Sequence, residues 1–278
     1  MTRALPAPVE ALVRERAVEP GPLLWLTGAG ISAESGIPTF RGPEGYWKVG
    51  SRNYHPQQLA TRAAFGAMPD EVWAWYLYRR AVCRAAEPNA AHHALVELEE
   101  RIGPRFRLIT QNVDGLHQRA GTKRVYAIHG NIDEMRAVSG RVTAPIPAGI
   151  PTDWPKGRAL TAADRDLLQV EARPARPHVL WFDECYDEEH FHFDSSLRAA
   201  AEASLLVVVG TTGATNLPMQ VGMLCARHGT PSIVINPEPN PFSEVVERSG
   251  LGIFLQGTAG EWVPALAAAA AEAYAPTP

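Results

Sequence analysis

His129, Asn112 and Asp114 are the side chains in this chain best suited to moving a proton and orienting a polar ligand. Imidazole titrates near neutral pH and can take a proton from a hydroxyl. His129 follows a short apolar stretch and precedes Gly130, and Gln111-Asn112-Val113-Asp114 lies upstream of it. A lone histidine after a strand is usually structural, so its weight comes from the neighbouring amide and carboxylate. Asn and Asp are also good helix caps, and capping a helix over 113–120 is compatible with a second role.

A second group could hold phosphate. The apolar run Leu23-Leu24-Trp25-Leu26 feeds into Gly28-Ala29-Gly30, and 31–35 is compatible with a helix. Glycine lets a backbone come close to a pyrophosphate, and a helix start offers unpaired N–H groups. That glycine pattern alone has little specificity. The stretch after it is more unusual: Gly36-Ile37-Pro38-Thr39-Phe40-Arg41-Gly42 sets an aromatic ring beside a guanidinium. A ring can cover a flat heterocycle, and an arginine can pair with phosphate or carboxylate. Tyr76 and Arg79, three residues apart in a helical pattern, share one helix face.

The elements that must position these residues follow from periodicity. Short apolar, β-rich runs fall at 23–27, 106–110, 125–128, 178–182, 205–209, 232–236 and 252–255. Helical patterns over 69–86, 90–102, 217–228 and 260–273 lie between many of them. Near-continuous apolar strands alternating with helices predict an α/β fold, a Rossmann-like parallel sheet with helices on both faces. Ligands of such sheets sit at the C-terminal strand ends. Gly28, Gln111, His129, Asp183, Gly210 and Asn236 each follow one of the runs. Two segments break the alternation: 42–87 reads as a mostly helical, aromatic-rich insertion, and 132–176 is rich in Pro and Ala without a clear period. The expected division is a Rossmann-like domain from 1–42, 88–130 and 178–278, with a smaller inserted domain from 43–87 and 131–177.

In order along the chain, these motifs resemble the sirtuin family of NAD-dependent protein deacylases. Leu26 to Trp47 resembles its cofactor loop, Gln111-Asn112-Val113-Asp114 its QNxD, and His129-Gly130 its catalytic HG. Val179-Leu180-Trp181-Phe182-Asp183-Glu184 resembles VxWFGE with one change; Gly210-Thr211-Thr212 resembles GTS and Asn236-Pro237-Glu238 the ribose-binding NxE. The resemblance spans about residues 20 to 270. It implies NAD as cofactor and an acylated lysine as substrate. The acyl oxygen attacks C1′ of the nicotinamide ribose, nicotinamide leaves, a base frees a ribose hydroxyl, and the acyl group ends on ADP-ribose.

On that resemblance His129 is the base, while Asn112 and Asp114 orient the ribose and the nicotinamide amide. Phe40 shields the reaction face, Arg41 contacts phosphate or organises the loop, and Ser32 with Thr211 or Thr212 are phosphate ligands. Asn236 and Glu238 hold the adenosine ribose. Gly28, Ala29, Gly30, Trp47, Gln111, Gly210 and Ala259 complete the cofactor set, with Tyr76, Arg79, Trp181 and Phe182 on the acyl-lysine side. Tyr76 and Arg79 resemble the Y-x-x-R pair of sirtuins that remove acidic acyl groups, where phenol and guanidinium bind a distal carboxylate. YLYRR is otherwise an ordinary amphipathic helix segment. Asp183 departs from the family's glycine in a loop that pairs with the substrate backbone, and Gly213 to Pro218 departs from GTSxxVxP. The cofactor chemistry is therefore expected intact and the peptide clamp altered. An ADP-ribosyltransferase or NAD hydrolase would use the same cofactor residues, and a non-catalytic NAD or ADP-ribose sensor would not need His129.

Most sirtuins hold zinc on four cysteines between HG and VxWFGE, and residues 130–177 contain none. No zinc site of that kind is expected. Ile146, Ile150, Trp154, Leu160 and Leu167 are candidates for a compact core instead. Cys185, His190 and His192 read as scattered loop residues rather than a substitute site, and one or both of His92 and His93 as helix-surface residues. Three cysteines, Cys83, Cys185 and Cys225, imply no disulfide framework. A net charge of -4 argues against a general nucleic-acid partner. No apolar run approaches the ~20 residues of a membrane span, and the N-terminal segment lacks the apolar core of a secretory signal. A cytoplasmic enzyme is expected; the sequence does not set its oligomeric state.

Overall fold

The computed structural model describes residues 3–38, 47–49 and 52–275, with the backbone alone for 47–49 and 52–53. Among these, the strands in chain order are β1 (Leu23–Thr27), β2 (Trp47–Val49), β3 (Arg52–Tyr54), β4 (Phe106–Thr110), β5 (Val125–Ala127), β6 (Gly130–Ala137), β7 (Thr143–Pro145), β8 (Gln169–Val170), β9 (Arg173–Val179), β10 (Leu205–Val209), β11 (Ser232–Asn236) and β12 (Gly252–Gln256). Six of them form one parallel sheet in the order β12-β11-β10-β1-β4-β5. Every residue of β1 and of β10 is buried. This is what strands covered on both faces require, and it explains their unbroken apolar sequence. One face packs Trp25, Phe106 and Val207 against the helices Ala90–Ile102 and Ala259–Tyr274; the other packs Leu24, Leu206 and Val208 against Leu217, Val221 and Phe242.

The chain runs β1, β4, β5 to one side and then returns to run β10, β11, β12 to the other. The order therefore reverses between β1 and β10, the switch point where such sheets open a crevice. The strand ends meet there with almost no space. A Cβ on Gly30 would lie 2.5 Å from the Cα of Gly210, and one on Gly28 would lie 2.8 Å from the Gly210 carbonyl oxygen. Gly210 itself adopts φ +60°, the left-handed region. The stretch after Gly28 is a 3₁₀ helix, Ala29–Ser35, closed by Gly36 in the left-handed conformation.

The strand expected at 178–182 lies elsewhere. Its N-terminal part belongs to β9, which pairs antiparallel with β6 and β8, and β6 also pairs with β7. This small sheet occupies the segment that showed no period. Pro145, Pro174 and Pro177 fall within it, and proline interrupts the strand signal that composition would otherwise carry. The aromatic insertion is mostly helical as expected, with Pro56–Leu59, Arg62–Ala67 and Pro69–Ala85, but it opens with the β2–β3 hairpin.

The helix Pro69–Ala85 and the small sheet share one core that includes Trp73, Trp75, Tyr76, Ile132, Ile150, Trp154 and Trp181. Of the proposed core residues Ile146, Ile150, Trp154 and Leu160 are buried, whereas Leu167 is 38% exposed and Leu168 takes the inward place. The helix Ala162–Leu167 ends at Leu167, so the chain turns Leu168 in as it leaves the helix. Polar bonds brace the same core. Trp73 Nε1 donates to the Ala175 carbonyl at 3.0 Å. The Arg158 guanidinium lies over the Trp154 ring at 3.8 Å and pairs with Asp164 at 3.1 Å. Burial alone would raise the Asp164 pKa, but the Thr161 N–H and hydroxyl and the Arg158 charge hold it below the usual value. No group of three or more His, Cys, Asp or Glu side chains is arranged to hold a metal among the described residues. Among them, too, no helix is long and apolar enough to cross a membrane.

If packing holds this module, Trp154→Ala should cost about 3–5 kcal/mol of unfolding free energy, the usual penalty for emptying a buried tryptophan site. Urea titration measures it. A chelator added to the unmodified protein should leave the same transition in place.

Candidate active site

The C-terminal edge of the parallel sheet gathers most of the residues singled out in the sequence. β1 delivers Gly28, Ala29, Gly30 and Ser32; β4 delivers Gln111, Asn112 and Asp114; β5 leads to His129; β10 delivers Gly210, Thr211 and Thr212. Asn236 ends β11, and its side-chain amide donates to the backbone carbonyl of the exposed Glu238 at 2.7 Å. Ala259 opens the helix after β12 with its side chain buried. Thr39, Phe40, Arg41 and the side chain of Trp47 lie outside the described residues.

His129 is held in one protonation form by its contacts. Its Nδ1 lies 2.8 Å from the Gln111 carbonyl oxygen, which can only accept, so Nδ1 carries the hydrogen. That leaves a lone pair on Nε2. Burial pushes the imidazole pKa down to about 4, against the Gln111 carbonyl, which favours the charged form. At neutral pH His129 is thus an uncharged base with its accepting nitrogen at the sheet edge. Tyr186 meets that nitrogen, with its hydroxyl 2.9 Å from Nε2.

Ser32, Asn112 and Asp114 form a connected cluster beside it. The Ser32 hydroxyl donates to Asp114 Oδ2 at 2.7 Å, and the Asn112 amide donates to Ser32 Oγ at 3.0 Å. Asp114 Oδ1 also accepts the Leu116 N–H at 2.9 Å, the first turn of the helix Leu116–Ala120. The capping role and the site position coexist. Burial raises the Asp114 pKa, opposed by the Leu116 N–H, the Ser32 hydroxyl and the charges of Arg119 and Arg79. Gln111 spans the crevice: its amide nitrogen donates to Thr211 Oγ1 at 2.9 Å, and its amide oxygen accepts from the Thr215 hydroxyl at 2.9 Å. Asn240 holds the Thr211 carbonyl at 2.9 Å.

Tyr76, Arg79 and Trp181 approach from the small module. Tyr76 is buried, and its phenol oxygen accepts from Trp181 Nε1 at 3.0 Å. Burial raises the Tyr76 pKa far above its usual value, with the Arg79 charge as the largest opposing influence. Arg79 stacks over Trp75 at 5.2 Å, and its charge also reaches Asp114. Tyr76 is thus buried, while Arg79 is partly exposed. Trp181 lies under the Arg176 guanidinium at 3.3 Å, and Arg176 grips both oxygens of Glu184. Phe182, by contrast, is 57% exposed.

Asp183 has a definite structural role. Its carboxylate accepts the N–H of Arg62 at 2.7 Å and of Ala63 at 3.1 Å, while Thr61 accepts that of Ala64 at 3.0 Å. All the first-turn donors of the helix Arg62–Ala67 are thereby satisfied, two of them by a residue distant in sequence. The neighbouring Phe182 N–H donates to the Ala60 carbonyl at 3.0 Å. Cys185, His190 and His192 do not converge: Cys185 is exposed, His190 binds Asp187 and the Arg141 carbonyl, and His192 stacks on Tyr126. His93 is exposed as expected, but His92 is fully buried edge-on against His117. Sequence reading missed Tyr186, Thr215 and Asn240, whose approach to the site is made by loops with no periodic signal.

A six-stranded parallel sheet with a glycine-built switch point defines a Rossmann-type α/β protein, and a neutral histidine stands at its C-terminal edge. Comparison with known proteins makes this specific. A family model described as the Sir2 family matches residues 28–216. An NAD-dependent protein deacylase of Leptospira interrogans is 43% identical over 242 residues, covering 87% of this chain and 89% of that one. The mitochondrial NAD-dependent protein deacylase sirtuin-5 of Danio rerio is 39% identical over 234 residues, covering 79% and 75%. Among solved structures, a Sir2 homolog in complex with NAD superposes with a TM-score of 0.76 at 33% identity, covering 99% of this chain and 98% of that chain. The chain belongs to the Sir2 family, the sirtuins.

The neutral state of His129 has a consequence for pH dependence. The pH profile of kcat/KM reports the base of the free enzyme. It should hold through the ordinary imidazole range near about 6.5 and decline only toward about 4. A half-maximal point close to the unperturbed value would show that His129 is better solvated than this geometry has it.

Proposed function

We propose that the protein is an NAD-dependent protein-lysine deacylase that prefers acidic acyl groups of the succinyl and malonyl kind. NAD-dependent protein deacylation is the activity for which its relatives are named, and the NAD complex of a Sir2 homolog supports NAD as cosubstrate. The residues present suit that molecule. The glycine contact at the switch point keeps side chains out of the crevice. The exposed Thr212 offers a hydroxyl to phosphate, whereas the Ser32 hydroxyl is already given to Asp114, and Asn236 and Glu238 offer polar groups to a ribose at the far strand end. NAD brings an electrophilic anomeric carbon with nicotinamide as leaving group. In this reading Asn112 and Asp114, tied through Ser32, orient the ribose, and His129 Nε2 takes the hydroxyl proton. The three core clusters support a division into the parallel-sheet domain and a small domain near the boundaries expected from sequence.

The observation that carries the acyl preference is the setting of Tyr76. Trp181 Nε1 donates to its oxygen, so the Tyr76 O–H is left to act as a donor beside the Arg79 charge. Two donors, one of them cationic, beside apolar side chains favour a carboxylate over a methyl group. The sirtuin-5 relative supports the same subgroup.

Removing the base tests the catalytic assignment. His129→Ala should lower turnover by roughly 10²-fold or more, with NAD affinity retained; wild-type turnover would refute the role. The acyl preference is tested by Arg79→Met on succinylated and acetylated forms of one peptide. Loss of the partner of a desolvated carboxylate costs up to about 3–5 kcal/mol. Desuccinylation should therefore fall steeply in kcat/KM while deacetylation holds or improves. Equal slowing of both would assign Arg79 a structural role.

A further inference from the structure

Tyr186 is not part of any motif discussed above, yet its hydroxyl occupies the one atom of His129 that a base must offer. The imidazole has two nitrogens. Nδ1 is engaged with the Gln111 carbonyl, which already sets the ring's orientation and tautomer. Nε2 has a single lone pair, and the Tyr186 hydroxyl lies 2.9 Å from it. With Nδ1 carrying the ring hydrogen, Tyr186 is the donor in that contact. A ribose hydroxyl that is to give its proton to Nε2 needs the same lone pair.

The tyrosine is placed for this by two anchors and two supports. It sits between Asp183, which caps the helix Arg62–Ala67, and Asp187, whose carboxylate accepts the His190 N–H at 2.6 Å at the start of the helix Glu188–Phe191. Residues 184–186 between the anchors lie in no helix or strand. The Tyr186 ring stacks on Phe193 with centroids 6.3 Å apart. The Leu217 backbone, at the start of the helix Asn216–Arg227, opposes the rise that burial imposes on the phenol's pKa. That helix start belongs to the 213–218 loop, whose Thr215 also holds the Gln111 side chain at 2.9 Å. The 213–218 loop thus reaches Gln111, whose carbonyl holds His129.

We propose that Tyr186 is a positioning residue that caps His129 Nε2 in the free enzyme and yields this place to the nicotinamide ribose, coupling NAD entry to the 213–218 loop. The inference rests on the reading of His129 as the base. It adds an internal competitor for the base's lone pair that NAD must displace. A fragment lacking the nicotinamide ribose, such as ADP, has no such competition to overcome.

Calorimetric titration of NAD and of ADP into Tyr186→Phe tests this without relying on turnover. The variant keeps the ring on Phe193 and removes only the hydroxyl. NAD should bind about two- to tenfold tighter, the weight of one neutral hydrogen bond, and ADP should bind as in the unmodified protein. Tyr186→Leu, which also lacks the hydroxyl, should tighten NAD in the same direction. In a His129→Ala background the Tyr186→Phe change should add nothing, because no lone pair is left to cap. Unchanged or weaker NAD binding by both variants overturns the proposal. So does equal tightening of ADP, or tightening that persists without His129. Failure of His129 as the base is read separately, as retained turnover in His129→Ala.

Discussion

The close approach of β1 and β10 at their C-terminal ends is the constraint on which the site depends. Gly30 and Gly210 face each other with no room for a side chain, and the Gly30 N–H donates to the Gly210 carbonyl at 2.8 Å. The chain reverses its order across the sheet at this point, so connections lead away on either side and leave a crevice above. Thr211, which continues from Gly210, is then within reach of Gln111 from β4, and the Gln111 carbonyl holds His129 after β5. One backbone contact thus sets the position of three strand-end loops. A larger residue at either glycine would force the two strands apart and move every donor that hangs from them.

The electrostatics of the site follow from where these loops lie. His129, Asp114 and Tyr76 are each desolvated, and each is pushed toward its uncharged form. For an imidazole this gives the base its accepting form at neutral pH. Asp114 gains compensating donors in Ser32 and Leu116, so it can be buried without losing its partners. Arg79 is the cation whose field reaches both Asp114 and Tyr76.

The small module is held together by aromatic packing. Its strands β6 and β9 are joined to the helix Pro69–Ala85 through Trp73, Trp75, Trp154 and Trp181. Aromatic side chains bury large areas each and so substitute for a covalent staple in a short segment. Trp181 serves both purposes, since it fills this core and fixes the Tyr76 hydroxyl. Asp183 similarly ties the loop after β9 to the helix Arg62–Ala67. The aspartate that stands where the family has glycine is, in the fold, a long-range helix cap.

The sequence by itself determined the parallel sheet, its main helices and the strand-end placement of His129, Gln111 to Asp114, Gly28 to Ser32 and Gly210 to Thr212. Burial on both faces demands unbroken apolar strands, and catalytic loops at strand ends carry short motifs with their own composition. It also made Tyr76 and Arg79 neighbours, because helical spacing is local. Other features came only with tertiary structure. The strand β9 was hidden because Pro174 and Pro177 interrupt it, and β6 because its alternation slips at Asp133-Glu134, where its register also shifts. Leu168 displaced Leu167 from the core where a helix ended. His92 turned inward because His117 came to meet it from a different helix. Tyr186 reached His129 only through the convergence of loops far apart in the chain. Periodicity reports the environment of an element along its own axis; which loops meet across a crevice depends on three-dimensional packing, and no local pattern encodes it.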